Sequence, residues 1–221
     1  MITIAYKGYT IALFPPEEPF SGVIVYTHME KEPAAETVAL LPNKNAALAA
    51  IGGVDWEREL SPWPAGRAFR GGADFAGNAG EYCRVLTGTL LPGVEEELGI
   101  KPECRAIAGY SLAGLFALFA LYQTQGFERA ASVSGSLWYD GFIPYLENTP
   151  FGKMPERIYL SVGDKESNGK NPRMSRVGEC TRQAAARFEA LGIETKYEQN
   201  PGGHFSAVQQ RMAKGIAFLI R

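Results

Sequence analysis

The chain has 221 residues, 46% hydrophobic and 21% charged, with a net charge of −2 at pH 7. This length suits one sizeable core, and the near-neutral charge gives no reason to expect nucleic acid or an anionic membrane as a partner. No apolar run approaches the ~18 residues of a membrane span, and no signal-like leader opens the chain. We therefore expect one domain, residues 1–221, in the cytoplasm.

The first half of the chain is predicted to start with a β-hairpin over residues 2–14. Residues 23–27 are a short, continuously apolar run, typical of a strand buried on both faces. Residues 34–41 favour a helix, whereas 46–51 fit a helix or a strand, and their position favours the strand. Residues 52–80 are rich in glycine, proline and aromatic residues, which predicts a loop long enough to suggest a function.

The second half alternates predicted helices and strands. In chain order these are helix 81–98 (bent near Pro92-Gly93), strand 105–109, helix 112–125, strands 129–134 and 158–162, helix 172–191, strand 194–198 and helix 206–220. Such alternation implies an α/β fold with a mainly parallel sheet and helices on both faces. No large insertion separates the strands at 129–134 and 158–162, so we expect no large lid domain.

A candidate nucleophile lies between strand 105–109 and the next helix. Residues 106–114 read Ala-Ile-Ala-Gly-Tyr-Ser-Leu-Ala-Gly, in which Ser111 is flanked at −2 and +2 by Gly109 and Ala113. Small residues are needed there because a nucleophile elbow turns so tightly that larger side chains would collide. The alternative interpretation is a strand–helix junction with a serine N-cap.

A serine hydroxyl needs a base, and the chain has only two histidines. His204 lies in a glycine-rich loop between the last predicted strand and the last predicted helix, where an α/β-hydrolase presents its base. The alternative is a surface-loop or helix-capping histidine. His28 follows strand 23–27 and precedes any nucleophile, so we interpret it as a loop residue near the oxyanion segment.

The acid that orients the base is expected in the exit loop of strand 158–162, which reads Gly163-Asp164-Lys165-Glu166. Asp164 is closer to the strand, whereas Glu166 reaches further and has room to turn back toward His204. Either carboxylate could instead be a solvated loop charge. We prefer Glu166 to Asp164.

The remaining site residues are assigned by position. The N–H of Leu112, at the start of a helix, would donate to an oxyanion, with a second donor near His28 or Met29. The tryptophans lie in loops expected at the carboxyl edge of the sheet, where Trp56 and Trp138 would contact substrate; packing of the loops is the alternative. We predict no metal site, because neither the two histidines nor the three scattered cysteines have ligand spacing.

Four segments together resemble a known family. They are 109–115 (Gly-Tyr-Ser-Leu-Ala-Gly-Leu), 132–138 (Ser-Val-Ser-Gly-Ser-Leu-Trp), 163–166 and 202–205 (Gly-Gly-His-Phe). They look like the putative esterase family of α/β-hydrolases, and Asp55-Trp56 and Ser61-Pro62-Trp63-Pro64 add a likeness to its siderophore-esterase branch. The resemblance runs from about Val23 to the end. It implies an α/β-hydrolase fold and a triad of Ser111, His204 and Glu166 (or Asp164), although some siderophore esterases are thought to rely on a Ser-His pair.

The sequence therefore predicts a cofactor-independent serine hydrolase that cleaves a small-molecule carboxylic ester. An acyltransferase on the same scaffold is one alternative, and a non-catalytic binding protein of the same fold is another. Small acyl esters, feruloyl-like aromatic esters and siderophore lactones all stay open as substrates. The oligomeric state is unknown.

Overall fold

The computed structural model describes all of residues 1–221 and contains one eight-stranded sheet. The strands are β1 Ile2–Tyr6, β2 Tyr9–Phe14, β3 Val23–His28, β4 Ala47–Gly52, β5 Cys104–Tyr110, β6 Arg129–Val133, β7 Arg157–Gly163 and β8 Glu194–Asn200. Their order is β1-β2-β4-β3-β5-β6-β7-β8, with β3 to β8 parallel and the β1–β2 hairpin antiparallel to β4. The predicted mainly parallel α/β fold is confirmed.

Eight α-helices connect or flank the strands. They are α1 Lys31–Ala39, α2 Trp56–Glu59, α3 Ala79–Val85, α4 Leu91–Leu98, α5 Leu112–Gln123, α6 Phe142–Asn148, α7 Val177–Ala190 and α8 Val208–Leu219. A π turn, Leu86–Leu90, joins α3 to α4 just before Pro92, where the sequence predicts a bend. Proline cannot supply the N–H that an uninterrupted helix needs, and the wider turn accommodates it.

The helices form a layer on each face of the sheet. On one face α1 and α8 cover strand residues such as Val25 and Ala106, and on the other α3 to α7 cover Ile24 and Ile107. Neighbouring residues of a strand therefore enter different cores, as the two-residue period of a strand requires. This explains why the central strands read as continuous apolar runs.

Helix α5 is buried along nearly its whole length, from Leu112 to Tyr122. It packs directly on β5 and β6, and α3 packs on its other side. A helix enclosed on all sides cannot shift without opening the core, because protein interiors are close-packed. The residue at its N-terminus is consequently held in a fixed position above the sheet.

Several local features differ from the sequence-based expectations, among them the short helix α2 within the predicted loop 52–80. Helix α6 lies in a segment for which no element is predicted, and helix 172–191 is replaced by a 3₁₀ turn, Met174–Arg176, followed by α7. The interpretation of His28 as a loop residue is wrong: it is the last residue of β3 and only 2% exposed. Its ring is enclosed by aromatic side chains from α3 and α5, which the local sequence does not reveal.

All three cysteines are buried free thiols. Burial raises the pKa of Cys83 to about 12 and that of Cys104 to about 11, and it also raises the pKa of Cys180. The thiolate is therefore disfavoured at each position.

None of the helices combines the length and the apolar character needed to cross a membrane.

Candidate active site

The backbone at Ser111 turns sharply between β5 and α5. Ser111 has φ 57° and ψ −121°, a strained conformation for a residue other than glycine. Its N–H donates to the carbonyl of Val133 at 3.1 Å, which ties the turn to β6. A Cβ on Gly109 would overlap the carbonyl oxygen of Ala113, so only glycine fits at this position. This is the geometry of a nucleophile elbow.

His204 lies next to the serine hydroxyl. Its Nε2 is 3.0 Å from Ser111 Oγ, within hydrogen-bond distance. The loop that carries it is held by the Ser206 hydroxyl, which accepts from the Gly203 N–H at 3.1 Å, and by Tyr110, whose hydroxyl donates to the His204 carbonyl oxygen. The structure thus brings together two side chains that are 93 residues apart in the chain.

Glu166 occupies the other side of the imidazole. Its Oε2 is 2.8 Å from His204 Nδ1, and its side chain is only 2% exposed. Oε1 accepts from the Gly163 N–H at 2.6 Å and from the Ser134 hydroxyl at 2.7 Å. Burial raises the pKa of Glu166, but the hydrogen bonds from His204, Ser134 and Gly163 outweigh it, and the pKa lies below its usual value. The carboxylate is therefore ionised at neutral pH.

Asp164, the competing carboxylate, points elsewhere. Its Oδ1 accepts from the Gly202 N–H at 2.7 Å, and its own N–H donates to the carbonyl of Asn200 at 2.8 Å. Asp164 therefore joins the exit loop of β7 to the loop that leads to His204. It forms no hydrogen bond with the imidazole.

Arg211 was not anticipated as part of the site. It is 1% exposed, and its Nη1 is 3.1 Å from Glu166 Oε1 and 3.1 Å from Ser134 Oγ. Its Nη2 donates to the carbonyl of Pro201 at 2.8 Å. One guanidinium therefore links Glu166 to the start of the loop that carries His204. A sequence signal exists, because Arg211 falls on the apolar face of α8 with Met212, Gly215 and Ile216.

Leu112 is the first residue of α5, and its N–H has no acceptor within the protein. It is therefore free to donate at the positive end of the helix. Of the two residues predicted to supply a second donor, Met29 is already engaged: its N–H donates to the carbonyl of Ile51 at 3.2 Å.

The His28 side chain lies in an aromatic cage. Its Nε2 is 3.0 Å from the Tyr82 hydroxyl, and the Phe116 ring is edge-on at 5.0 Å. Nδ1 has no hydrogen-bond partner. Burial lowers the pKa of His28 to about 3, so the imidazole is neutral at physiological pH.

Ser136, which lies beside Ser111, is a second residue that the sequence does not single out. Its N–H donates to the Ser111 carbonyl at 3.0 Å, and the two hydroxyl oxygens are 3.4 Å apart. Ser136 belongs to the 132–138 segment, which the sequence marks as a motif, but its contact with Ser111 cannot be read from the sequence.

A cavity of about 510 Å³ opens at Ser111 and His204, within the usual size range of small-molecule sites. Both Trp56 and Trp138 line it. Trp63 does not; it packs against Phe119 and Tyr145. No group of three or more histidine, cysteine, aspartate or glutamate side chains is arranged to hold a metal ion.

The fold is that of the α/β-hydrolase class. A sequence profile described as "Putative esterase" matches residues 33–217, and the chain belongs to that family. The chain is also 28% identical over 138 residues to the "Uncharacterized protein YbbA" of Bacillus subtilis strain 168. That match covers 61% of this chain and 55% of YbbA, about half the length of the relative.

Solved structures with this fold include several esterases. The siderophore hydrolase EstA from Aspergillus nidulans has a TM-score of 0.72 at 20% identity, covering 99% of this chain and 93% of EstA. An IroE-like serine hydrolase from Shewanella oneidensis has a TM-score of 0.76 at 18% identity, covering 96% and 75%. The enterochelin esterase from Shigella flexneri has a TM-score of 0.73 at 19% identity, covering 99% and 57%. At these identities the likeness establishes the fold.

Proposed function

We propose that the protein is a serine hydrolase that cleaves a small-molecule carboxylic ester through an acyl-enzyme intermediate on Ser111. The observation that carries this proposal is the continuous chain of hydrogen-bond distances from Ser111 Oγ through His204 to Glu166, 3.0 Å and 2.8 Å, at the mouth of a cavity. Membership of an esterase family supports the same reaction.

The first half of the reaction acylates the enzyme. Ser111 Oγ attacks the ester carbonyl carbon while His204 Nε2 accepts the hydroxyl proton. Glu166 accepts a hydrogen bond from Nδ1–H, which fixes the tautomer and stabilises the imidazolium that forms. The Leu112 N–H donates to the developing oxyanion, and such a donor typically lowers the barrier by about 3 kcal/mol. His204 then gives its proton to the leaving alcohol.

The second half releases the acid. His204 removes a proton from water, which attacks the acyl carbonyl and restores the Ser111 hydroxyl. Glu166 again holds the imidazole in place. This cycle needs no cofactor, because each proton that the reaction moves passes through the imidazole.

The residues that line the cavity indicate how the substrate binds. Trp56 and Trp138 line the space beside Ser111, and we propose that their rings contact the acyl or alcohol group of the ester. Aromatic walls of this kind bind flat or extended apolar groups and contribute affinity through burial of apolar surface.

The test is covalent labelling combined with turnover. We expect a fluorophosphonate probe to label Ser111, and p-nitrophenyl butyrate to be hydrolysed, in the wild-type protein. Ser111→Ala should abolish labelling and lower kcat by about 10⁴-fold or more. Ser175→Ala removes a hydroxyl that contacts only the Pro172 carbonyl and is the matched control.

Two results would overturn the proposal. One is the absence of labelling in folded wild-type protein; the other is undiminished turnover in Ser111→Ala. Product analysis with added alcohols separates hydrolysis from acyl transfer, since an acyltransferase would form the new ester at the expense of the free acid.

A further inference from the structure

The cavity beside Ser111 has no positive side chain in its wall. Neither lysine nor arginine lines it, although the chain has 22 such residues. The charged residues that do line it are Glu30 and Glu57. Neither forms an ion pair; Glu30 Oε1 only accepts from the Gly53 N–H at 3.3 Å. A negative group on a ligand would therefore find like charge and no counter-ion in this wall.

Most of the remaining wall is apolar, although Ser136 and Gln209 also line it. Trp56, Phe75 and Trp138 supply aromatic surface, and the rim carries two exposed aromatic rings, Phe69 at 59% and Phe205 at 86%. Large aromatic side chains this exposed beside a cavity are typical of surface that a ligand covers. An apolar ligand that extends from Ser111 to the rim would cover exposed aromatic surface there.

Two arginines close to this wall, Arg67 and Arg173, are each paired with an aspartate. The Arg173 guanidinium does not line the cavity; it lies over the Trp138 ring at 5.3 Å and is 2.9 Å from Asp140 Oδ2. It also donates to the carbonyl of Gly66 at 2.7 Å. Arg67 is paired with Asp74 at 3.8 Å. Arg173 is therefore held by its partners. Arg67 and Arg70 are exposed, and Arg70 has no ion pair, but neither lines the cavity.

We propose that the substrate is an extended apolar ester without negative charge, and that the cavity selects against esters bearing a carboxylate or another anionic group. This inference rests on the proposed function, because it assigns a charge class to the ester that Ser111 attacks. An anionic group bound away from the Leu112 N–H loses hydration without gaining a cationic partner, and the two glutamates repel it.

The experiment compares esters that differ only in charge. In p-nitrophenyl hexanoate the acyl chain ends in a methyl group; in the p-nitrophenyl monoester of adipate a carboxylate replaces that methyl; and in the methyl-capped adipate diester the carboxylate is neutral again. We expect kcat/KM for the carboxylate to be at least about tenfold lower than for the capped ester, corresponding to about 1.4 kcal/mol. Equal or higher kcat/KM for the carboxylate would overturn the inference.

The alcohol side is tested in the same way, with the acetate esters of 4-hydroxybenzoate and of its methyl ester. Each rate is divided by the rate of hydroxide hydrolysis, which corrects for the different leaving groups. The free carboxylate should again be the poorer substrate, and a reversed order on this side counts against the inference as much as on the acyl side.

Variants identify the source of the discrimination. Glu57→Gln and Glu30→Gln should each reduce the ratio of kcat/KM for the capped adipate ester to kcat/KM for the free carboxylate. Glu36→Gln removes the same charge from an exposed position on α1 that does not line the cavity, and it should leave this ratio unchanged. Added salt should lower the ratio in the wild-type protein, because it screens exposed charges.

The two proposals fail in different ways. Equal turnover of charged and neutral esters that still depends on Ser111 would overturn the charge selection and leave the esterase standing. Loss of all turnover together with loss of fluorophosphonate labelling would overturn both.

Discussion

The two histidines of this chain occupy opposite kinds of environment. His204 is 23% exposed at its side chain and is hydrogen-bonded to a buried carboxylate, which a buried arginine also holds. His28 is 2% exposed, contacts the Tyr82 hydroxyl and the Phe116 ring, and has no charged partner. Both line the same cavity.

The difference shows that the chemistry of an imidazole is set by what surrounds it. In the proposed reaction His204 is the base, and the Glu166 carboxylate 2.8 Å from Nδ1 orients its ring. The aromatic cage of His28 disfavours the cation, so that ring is expected to stay neutral throughout. Four experiments test this contrast, beginning with the largest expected effect.

Replacing Glu166 should prevent His204 from acting as the base. We expect Glu166→Gln to lower kcat by about 10³-fold or more, because an amide N–H facing Nδ1 favours the wrong imidazole tautomer. Asp164→Asn is the control; its amide oxygen can still accept from the Gly202 N–H, and the change should stay below about threefold. Steady-state kinetics on p-nitrophenyl butyrate measures both. A larger loss in Asp164→Asn would reverse the assignment of the acid.

Removing the arginine behind the acid should destabilise the fold. Arg211→Met leaves the buried Glu166 carboxylate without its cation and the Pro201 carbonyl without a donor. We expect the free energy of unfolding to fall by about 3 kcal/mol, seen as a lower urea midpoint. Arg182→Met changes an exposed arginine on α7 and should have little effect. Similar midpoints for the two variants would contradict the inferred role of Arg211.

The second histidine should make stability depend on pH. The pKa of His28 is about 3 in the folded protein and near 6.5 in the unfolded chain. Between these values the unfolded state binds more protons, so stability falls as pH falls. At pH 5 the loss is about 2 kcal/mol relative to neutral pH.

The matched variant is His28→Gln, which can still hydrogen-bond to Tyr82 but does not titrate. Urea unfolding at a series of pH values should show a shallower decline below pH 6.5 in the variant than in the wild-type protein. Identical pH profiles would mean that His28 takes up a proton in the folded state.

The exposed ring beside His204 should have the smallest effect. Phe205 is edge-on to the His204 ring at 5.0 Å and lies at the cavity rim. We expect Phe205→Ala to raise KM for p-nitrophenyl octanoate by about fivefold, with a smaller change for the acetate, because only a long chain reaches the rim. Met154→Ala, which removes another exposed apolar side chain away from the cavity, is the control. An equal rise for both esters would exclude a rim contact.

The sequence predicted the parts of the molecule that depend on neighbouring residues. Ser111 could be singled out because the elbow needs small residues two positions to either side, and the alternating elements predicted the sheet. The choice of Glu166 over Asp164 came from side-chain reach within one loop. In the structure Glu166 contacts the imidazole, and Asp164 bridges two loops.

The features that were missed depend on contacts between distant segments. Arg211 contacts Glu166 only when α8 packs against the exit loop of β7. The pattern of α8 indicates a buried arginine but not its partner. The cage around His28 is built from α3 and α5. Helix α6 is seven residues long and contains Pro144, so its formation depends on packing of Phe142 and Leu146 against the core.

The three native thiols have a practical consequence. Thiol reagents react with the thiolate, and in this protein every cysteine is enclosed and holds its proton strongly. A cysteine introduced at an open position such as Glu36 would react with a maleimide dye ahead of the native ones. Fluorescent reporters can therefore be attached to the otherwise unaltered chain, without first engineering a cysteine-free background.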